Sequence, residues 1–247
     1  MNRVAAYMRI LATMGLRGVF KTLYFNFRVF PMRTALKMPV YLTSFTRFSS
    51  LKGRILFDCP VRHGLVRFGF AANDMFVPSC NVANLNIDGV VRFKGRGVFG
   101  GVSLNVGPRG ALTIGDDFFI TNQVKIVCHE RMEIGDQARI AWESQLFDTN
   151  FHYIREVATG RYLKKTAPVV IGNNVWIGNR TTITKGTVIP DSCMVGSNSL
   201  CTKDYSAIPK DSLIAGVPAK LIRTGFHRVA SYQDEERITK ELELQQK

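Results

Sequence analysis

From residue 171 the apolar positions of the chain fall on a beat of six. The segments IGNNVW, IGNRTT, ITKGTV, IPDSCM and VGSNSL follow one another without a gap. Each is led by an apolar β-branched residue: Ile171, Ile177, Ile183, Ile189 and Val195. Their fifth places hold Val175, Thr181, Thr187, Cys193 and Ser199, all small or medium. The same beat runs through IGDDFF, ITNQVK and IVCHER from 114, and through IGDQAR, IAWESQ and LFDTNF from 134. Neither strand alternation nor the turn of a helix gives this period. A short strand plus a tight turn does, and three such units close a triangular coil. The leading and fifth residues then face inward, and each coil buries its apolar row only by stacking on its neighbours. The pattern predicts an all-β fold, a parallel prism of stacked coils. Before 114 the beat loosens into stretches such as LNIDGVVRF and GGVSLNVG.

The beat fails at residue 152. After Ile134, Ile140 and Leu146 the next leading place belongs to His152, where an aliphatic is expected. The following leader is Ile171, and the residues between are largely polar, so 153–166 is predicted to be an extruded loop. Three regions result: a helical segment over 1–50, the prism over 51–225, and a charged helix or tail over 226–247. In the first, apolar residues come at mixed three and four spacing with breaks near Pro31 and Pro39, which predicts one or two short helices. That segment reads either as a cap on the prism or as an interfacial helix lying on anionic lipid.

Charge sharpens the second of these. The net charge is +14, yet residues 1–57 carry ten Lys or Arg and no Asp or Glu, which leaves +4 for the rest. Such a segment points to an anionic partner surface. No base-reading motif accompanies it, so a membrane is preferred to nucleic acid. Arginines interrupt the early apolar residues and no apolar run reaches about 18 residues, so neither a leader peptide nor a spanning segment is predicted. The cysteines, Cys59, Cys80, Cys128, Cys193 and Cys201, are odd in number and lack a CxxC pair, as expected of reduced, mostly buried thiols in a cytoplasmic protein.

Over roughly 85–225 the chain resembles the hexapeptide-repeat acyltransferases, the left-handed parallel β-helix family. The likeness is closest over 134–223, where NNVWIGNRTTITKGTVIP, VGSNSLCTKD and AGVPAKLIR stand in the family's order. It is similar to the branch of maltose, galactoside and serine acetyltransferases and of bacterial surface-polysaccharide O-acetyltransferases. The resemblance implies a left-handed coil, a homotrimer with sites between subunits, acetyl-CoA as co-substrate, no metal, and direct attack by a sugar or glycan hydroxyl. Transfer to the amine of an amino sugar would use the same base. A non-catalytic β-helical binding protein is the third reading, which the presence of the histidine disfavours.

The resemblance also implies roles for particular residues. His152, at the loop entrance, would be the general base; an imidazole, ordinarily titrating near about 6.5, suits that work. It would otherwise be a structural corner residue. Asp148 would orient His152, bind the acceptor, or only form a turn. Asn150 and His129 are candidate acceptor contacts, His129 being more at home in a surface turn. Trp176 would wall the pantetheine arm or meet a second subunit. Gly178 and Asn179 would line the acyl path. Lys185, Lys203, Gly216, Lys220 and Arg223 would serve the phosphate-bearing end of the cofactor, each lysine alone also being an ordinary solvated side chain.

Overall fold

The computed structural model describes residues 3–70, 82–229 and 232–245, so Cys80 lies outside the described residues. The leading residues do face inward: Ile114, Ile120, Ile126, Ile171, Ile177, Ile183 and Ile189 are all buried, as are Val175, Thr181, Thr187, Cys193 and Ser199 at fifth places. The strands they occupy stack in parallel into three faces.

The first coil is β1 (Val40–Leu42), β2 (Arg47–Leu51) and β3 (Arg54–Phe57). The second is β4 (Val66–Phe68), β5 (Asn84–Ile87) and β6 (Val90–Phe93). The third is β7 (Gly97–Phe99), β8 (Val102–Val106) and β9 (Ala111–Ile114), and the fourth β10 (Phe118–Ile120), β11 (Val124–Cys128) and β12 (Arg131–Ile134). The fifth runs β13 (Arg139–Ile140) and β14 (Gln145–Phe147), leaves the prism for the hairpin β15 (Ile154–Arg155) and β16 (Tyr162–Leu163), and returns in β17 (Val169–Ile171). The sixth is β18 (Trp176–Ile177), β19 (Thr182–Ile183) and β20 (Val188–Ile189). Above it lie β21 (Met194–Val195), β22 (Leu200–Cys201) and an antiparallel hairpin, β23 (Ser212–Gly216) and β24 (Ala219–Thr224). The first strand of every coil joins face A, the second face B and the third face C.

The prism begins at Val40, ahead of the expected boundary at 51. Its lower coils lack a clean beat because phenylalanines fill them. Phe68 and Phe99 stack with ring centroids 4.5 Å apart, and Phe118 lies 4.9 Å from Phe99 and 5.9 Å from Phe93. Corners in the upper coils use a residue with positive φ at every sixth place: Asn174, Arg180, Gly186, Ser192 and Asn198. Each non-glycine there accepts a strained backbone of roughly 1–2 kcal/mol, which the stacked coils impose.

Below the first coil lies α1 (Arg3–Val29), broken at Gly15 (φ 64°, ψ 165°), followed by α2 (Met32–Ala35). The open edge of β1 would leave main-chain groups unpaired. Two polar side chains of α1 satisfy them. Asn26 Nδ2 donates to the Val40 carbonyl at 2.8 Å while its Oδ1 accepts from Val40 N–H at 3.2 Å. Thr22 Oγ1 accepts from Leu42 N–H at 2.9 Å. Gly18 permits this approach, since a Cβ there would lie 2.7 Å from the Leu42 carbonyl oxygen. The cap reading of the N-terminal segment therefore holds for one of its faces. At the other end α3 (Tyr232–Gln245) is a charged helix.

Candidate active site

The excursion from the fifth coil defines the site. It leaves at Asp148 and returns at Val169, so it is wider than the expected 153–166. Its neck is clasped by an antiparallel bridge between Thr149 and Thr166 and by Asn150 N–H donating to the Lys165 carbonyl at 2.9 Å. Ala167 N–H donates to the Asp148 carbonyl at 3.0 Å.

His152 does not occupy the inward place that the beat assigned to it. Its side chain is exposed, and its N–H donates to the Asn150 carbonyl at 2.7 Å. The core position given up is that of Asp148, which is fully buried. The reason is local: the chain turns off the prism at Asp148, so the count of six no longer tracks the interior beyond it. Asp148 accepts from three main-chain donors of the coil below, His129 N–H at 2.8 Å, Glu130 N–H at 2.7 Å and Arg131 N–H at 3.0 Å. Of the three roles open to Asp148, its hydrogen bonds match the turn-forming one. Burial, followed by the charge of Asp148, pushes the Cys128 thiol well above its usual range.

Around His152 the excursion brings an aromatic wall. Phe151, half-exposed at φ 63°, sets its ring edge-on to His129 at 6.1 Å and to Phe147 at 5.8 Å. His129 is thus one coil below the excursion and in touch with it, and Asn150 is exposed at the neck. Lys185 and Lys203 follow β19 and β22, so they share the B–C edge with the excursion. Lys185 Nζ donates to the Lys164 carbonyl within it. Lys203 Nζ lies 5.4 Å from the centre of the Tyr205 ring, whose hydroxyl donates to the Ala219 carbonyl at 3.1 Å.

The other predicted residues lie elsewhere on the prism. Trp176 is in the outward row of face A, opposite the B–C edge, and is 42% exposed. With Phe119, Trp142 and Arg139 it lines a recess of about 230 Å³. Gly178 and Asn179 are on the A–B edge. A Cβ on Gly178 would lie 2.6 Å from Ser197 N, so coil stacking alone demands glycine there. Asn179 Oδ1 accepts from Ser197 Oγ at 2.6 Å. Gly216 (φ 105°), Lys220 and Arg223 belong to the β23–β24 hairpin on face A, and the Arg223 guanidinium sits 5.4 Å from the Phe226 ring centre. One chain therefore holds the predicted residues in two separate groups, a histidine edge and a tryptophan face.

Reading by sequence missed a larger cleft of about 860 Å³ on face A, lined by Arg67, Arg96, Arg139, Arg228 and Asp117. Register was the available signal: Arg67, Val98, Phe119, Arg139 and Trp176 are successive neighbours across β4, β7, β10, β13 and β18. Asp117 pairs with Arg139 at 3.0 Å and with Arg96 at 3.1 Å.

No protein-family profile matches the chain. Among curated proteins it is 27% identical over 190 residues to a putative lipopolysaccharide biosynthesis O-acetyl transferase, WbbJ, of Escherichia coli K12, covering 70% of this chain and 95% of that protein. It is 36% identical over 110 residues to the galactoside O-acetyltransferase of the same organism, covering 44% of this chain and 52% of that one. Among solved structures, a polysialic-acid-specific acetyltransferase, NeuO, superposes with a TM-score of 0.58 over 81% of each chain at 18% identity, a likeness of fold. In its repeat, its coil and its aligned relatives this chain is similar to the hexapeptide-repeat acetyltransferases, and its fold is their left-handed parallel β-helix.

Proposed function

We propose that the protein transfers acetyl from acetyl-CoA to a sugar hydroxyl during assembly of lipopolysaccharide or another surface polysaccharide. The observation that carries this reading is the exposed imidazole of His152, held beside a clasped neck on the lysine-bearing edge of a chain that aligns with nearly the whole of an O-acetyltransferase. His152 takes the proton of the acceptor hydroxyl as its oxygen attacks the thioester carbon. The C–S bond breaks, CoA leaves as thiolate, and the imidazolium returns the proton to it. Lys185, Lys203 and Lys220 serve the phosphates of CoA, and Trp176 packs on its pantetheine arm. Asn150 and His129 contact the acceptor.

Two further parts belong to the proposal. The protein is a homotrimer whose sites combine the histidine edge of one subunit with the tryptophan face of the next. It also works on the cytoplasmic side of a membrane, touching it through α1. No described helix is long and apolar enough to cross a membrane. However, α1 exposes Leu16, Phe20, Tyr24 and Phe27 at helical spacing, in a segment without acids.

The decisive measurement is thiol release from acetyl-CoA with a panel of sugars and lipid-linked glycans. His152→Ala should lower kcat by about 10²–10⁴ with an unchanged unfolding midpoint. Turnover near that of the unsubstituted protein on the best acceptor would sink the assignment of the base.

A further inference from the structure

Another cavity, of about 430 Å³, opens where α1 meets the first coil. Arg17, Lys21 and Arg47 line it with Ser44 and Phe45. Among the described residues no carboxylate lines it, and the first acidic residue of the chain is Asp58. Lys21 is held in place: its Nζ donates to the Ser44 carbonyl at 2.7 Å and to the Thr46 carbonyl at 2.6 Å. An ammonium has three donors, so one remains. Arg17 and Arg47 are exposed at the rim. Burial, and then the charges of these two arginines, push the Lys21 ammonium below its usual range. Three cations facing one cavity repel one another, and an anion between them removes that cost.

The position of the cavity narrows the choice of anion. Phe45 in its wall is half-exposed, and on the neighbouring helix so are Leu16 and Phe20. An anion with an apolar tail satisfies both surfaces. A doubly charged phosphate end group, with several free oxygens, suits two guanidinium forks and an ammonium better than a phosphodiester does. We infer that Arg17, Lys21 and Arg47 form a pocket for the phosphate group of a membrane lipid, seated as α1 lies on the bilayer. This rests on the membrane contact proposed for α1, and it adds a specificity that charge alone would not give.

The test is co-sedimentation of the full chain with phosphatidylcholine vesicles doped with phosphatidic acid or with phosphatidylglycerol, at matched surface potential. The unsubstituted protein should bind the phosphatidic acid vesicles at least about tenfold more tightly, a gain that one or two charge-assisted hydrogen bonds supply. Arg17→Gln/Arg47→Gln should abolish that preference. Arg28→Gln/Arg33→Gln, which removes the same charge from exposed residues outside the pocket, should weaken both vesicles equally and keep it. Binding without preference, or equal loss of preference in both double variants, overturns the pocket and leaves the membrane contact standing. No binding to either vesicle overturns the membrane contact and the pocket with it. Inorganic pyrophosphate bound in solution by a protein indifferent to vesicles would make this a site for a soluble phosphate and overturn the lipid assignment.

Discussion

Asp148 gives its carboxylate to three main-chain N–H groups, and a buried side chain so engaged governs stability before chemistry. In Asp148→Asn one oxygen becomes an amide NH₂ that faces donors instead of accepting from them. The loss should be roughly 2–4 kcal/mol, given what hydrogen bonds to charged groups contribute and what an unpaired buried donor costs. Urea unfolding of Asp148→Asn beside His152→Ala separates the two residues: the first should shift the midpoint and the second should not. An equal midpoint for Asp148→Asn and the unsubstituted protein would contradict the turn-locking role. The stretch FDTNFH shows how far such roles are legible in sequence. The interruption of the beat, the histidine and the loop can all be counted from residue spacing. Which residue stays inside cannot, because that is decided by hydrogen bonds that Asp148 accepts from the main chain of residues 129–131, a coil away.

At the scale of elements, two devices hold the coils: left-handed corners and a helical cap. Asn174, Gly186 and Asn198 are residue types that tolerate positive φ, so those corners are readable in the sequence. Ser192 adopts the same conformation without that tolerance, so its corner is imposed by the stack. Ser192→Val should therefore lower stability by about 1–2 kcal/mol, since a β-branched residue resists this backbone, whereas Ser192→Asn should be neutral or slightly stabilising. Thermal unfolding of both variants decides it, and an inert valine would mean that the corner relaxes freely. The cap makes the second case. A polar Asn26 amid apolar helix residues gives no hint in sequence that its amide closes a sheet edge. Asn26→Ala would leave the Val40 N–H and C=O without these partners, at a cost of about 2–4 kcal/mol. Amide exchange should quicken first in 22–42, where α1 meets β1, while the upper coils stay protected. Uniform quickening along the prism would show the cap and the coils to be one cooperative unit.

On the scale of the whole molecule, the interior sets an alkaline limit. Burial raises the Cys201 thiol from its ordinary 9.0 to about 11, and the Cys128 and Cys193 thiols move the same way. A thiol whose folded pKa lies above its unfolded value contributes fully at low pH, and that contribution falls once pH passes the unfolded value. Stability should therefore drop between about pH 9 and 11, by roughly 3 kcal/mol from Cys201 alone. Denaturant titrations across that window should show a flatter decline in Cys201→Ala; an unchanged slope would place the alkaline limit elsewhere. The proposed trimer makes its own prediction. His152 lies on the B–C edge and Trp176 on the opposite face, a placement that suits a site shared between two chains. In a ring of three, the edge of one subunit can meet the face of the next. His152→Ala and Trp176→Ala should each be nearly inactive at low acetyl-CoA. Co-expressed in equal amounts, they should regain activity, because a site needs an intact histidine from one chain and an intact tryptophan from its neighbour. Random rings supply that combination at about a quarter of their sites. Recovery to that level, seen as thiol release from the mixed protein, is the expected result. No recovery in a mixture shown by mass to contain mixed trimers would mean that both residues serve the site from one chain, and the shared site would have to be abandoned.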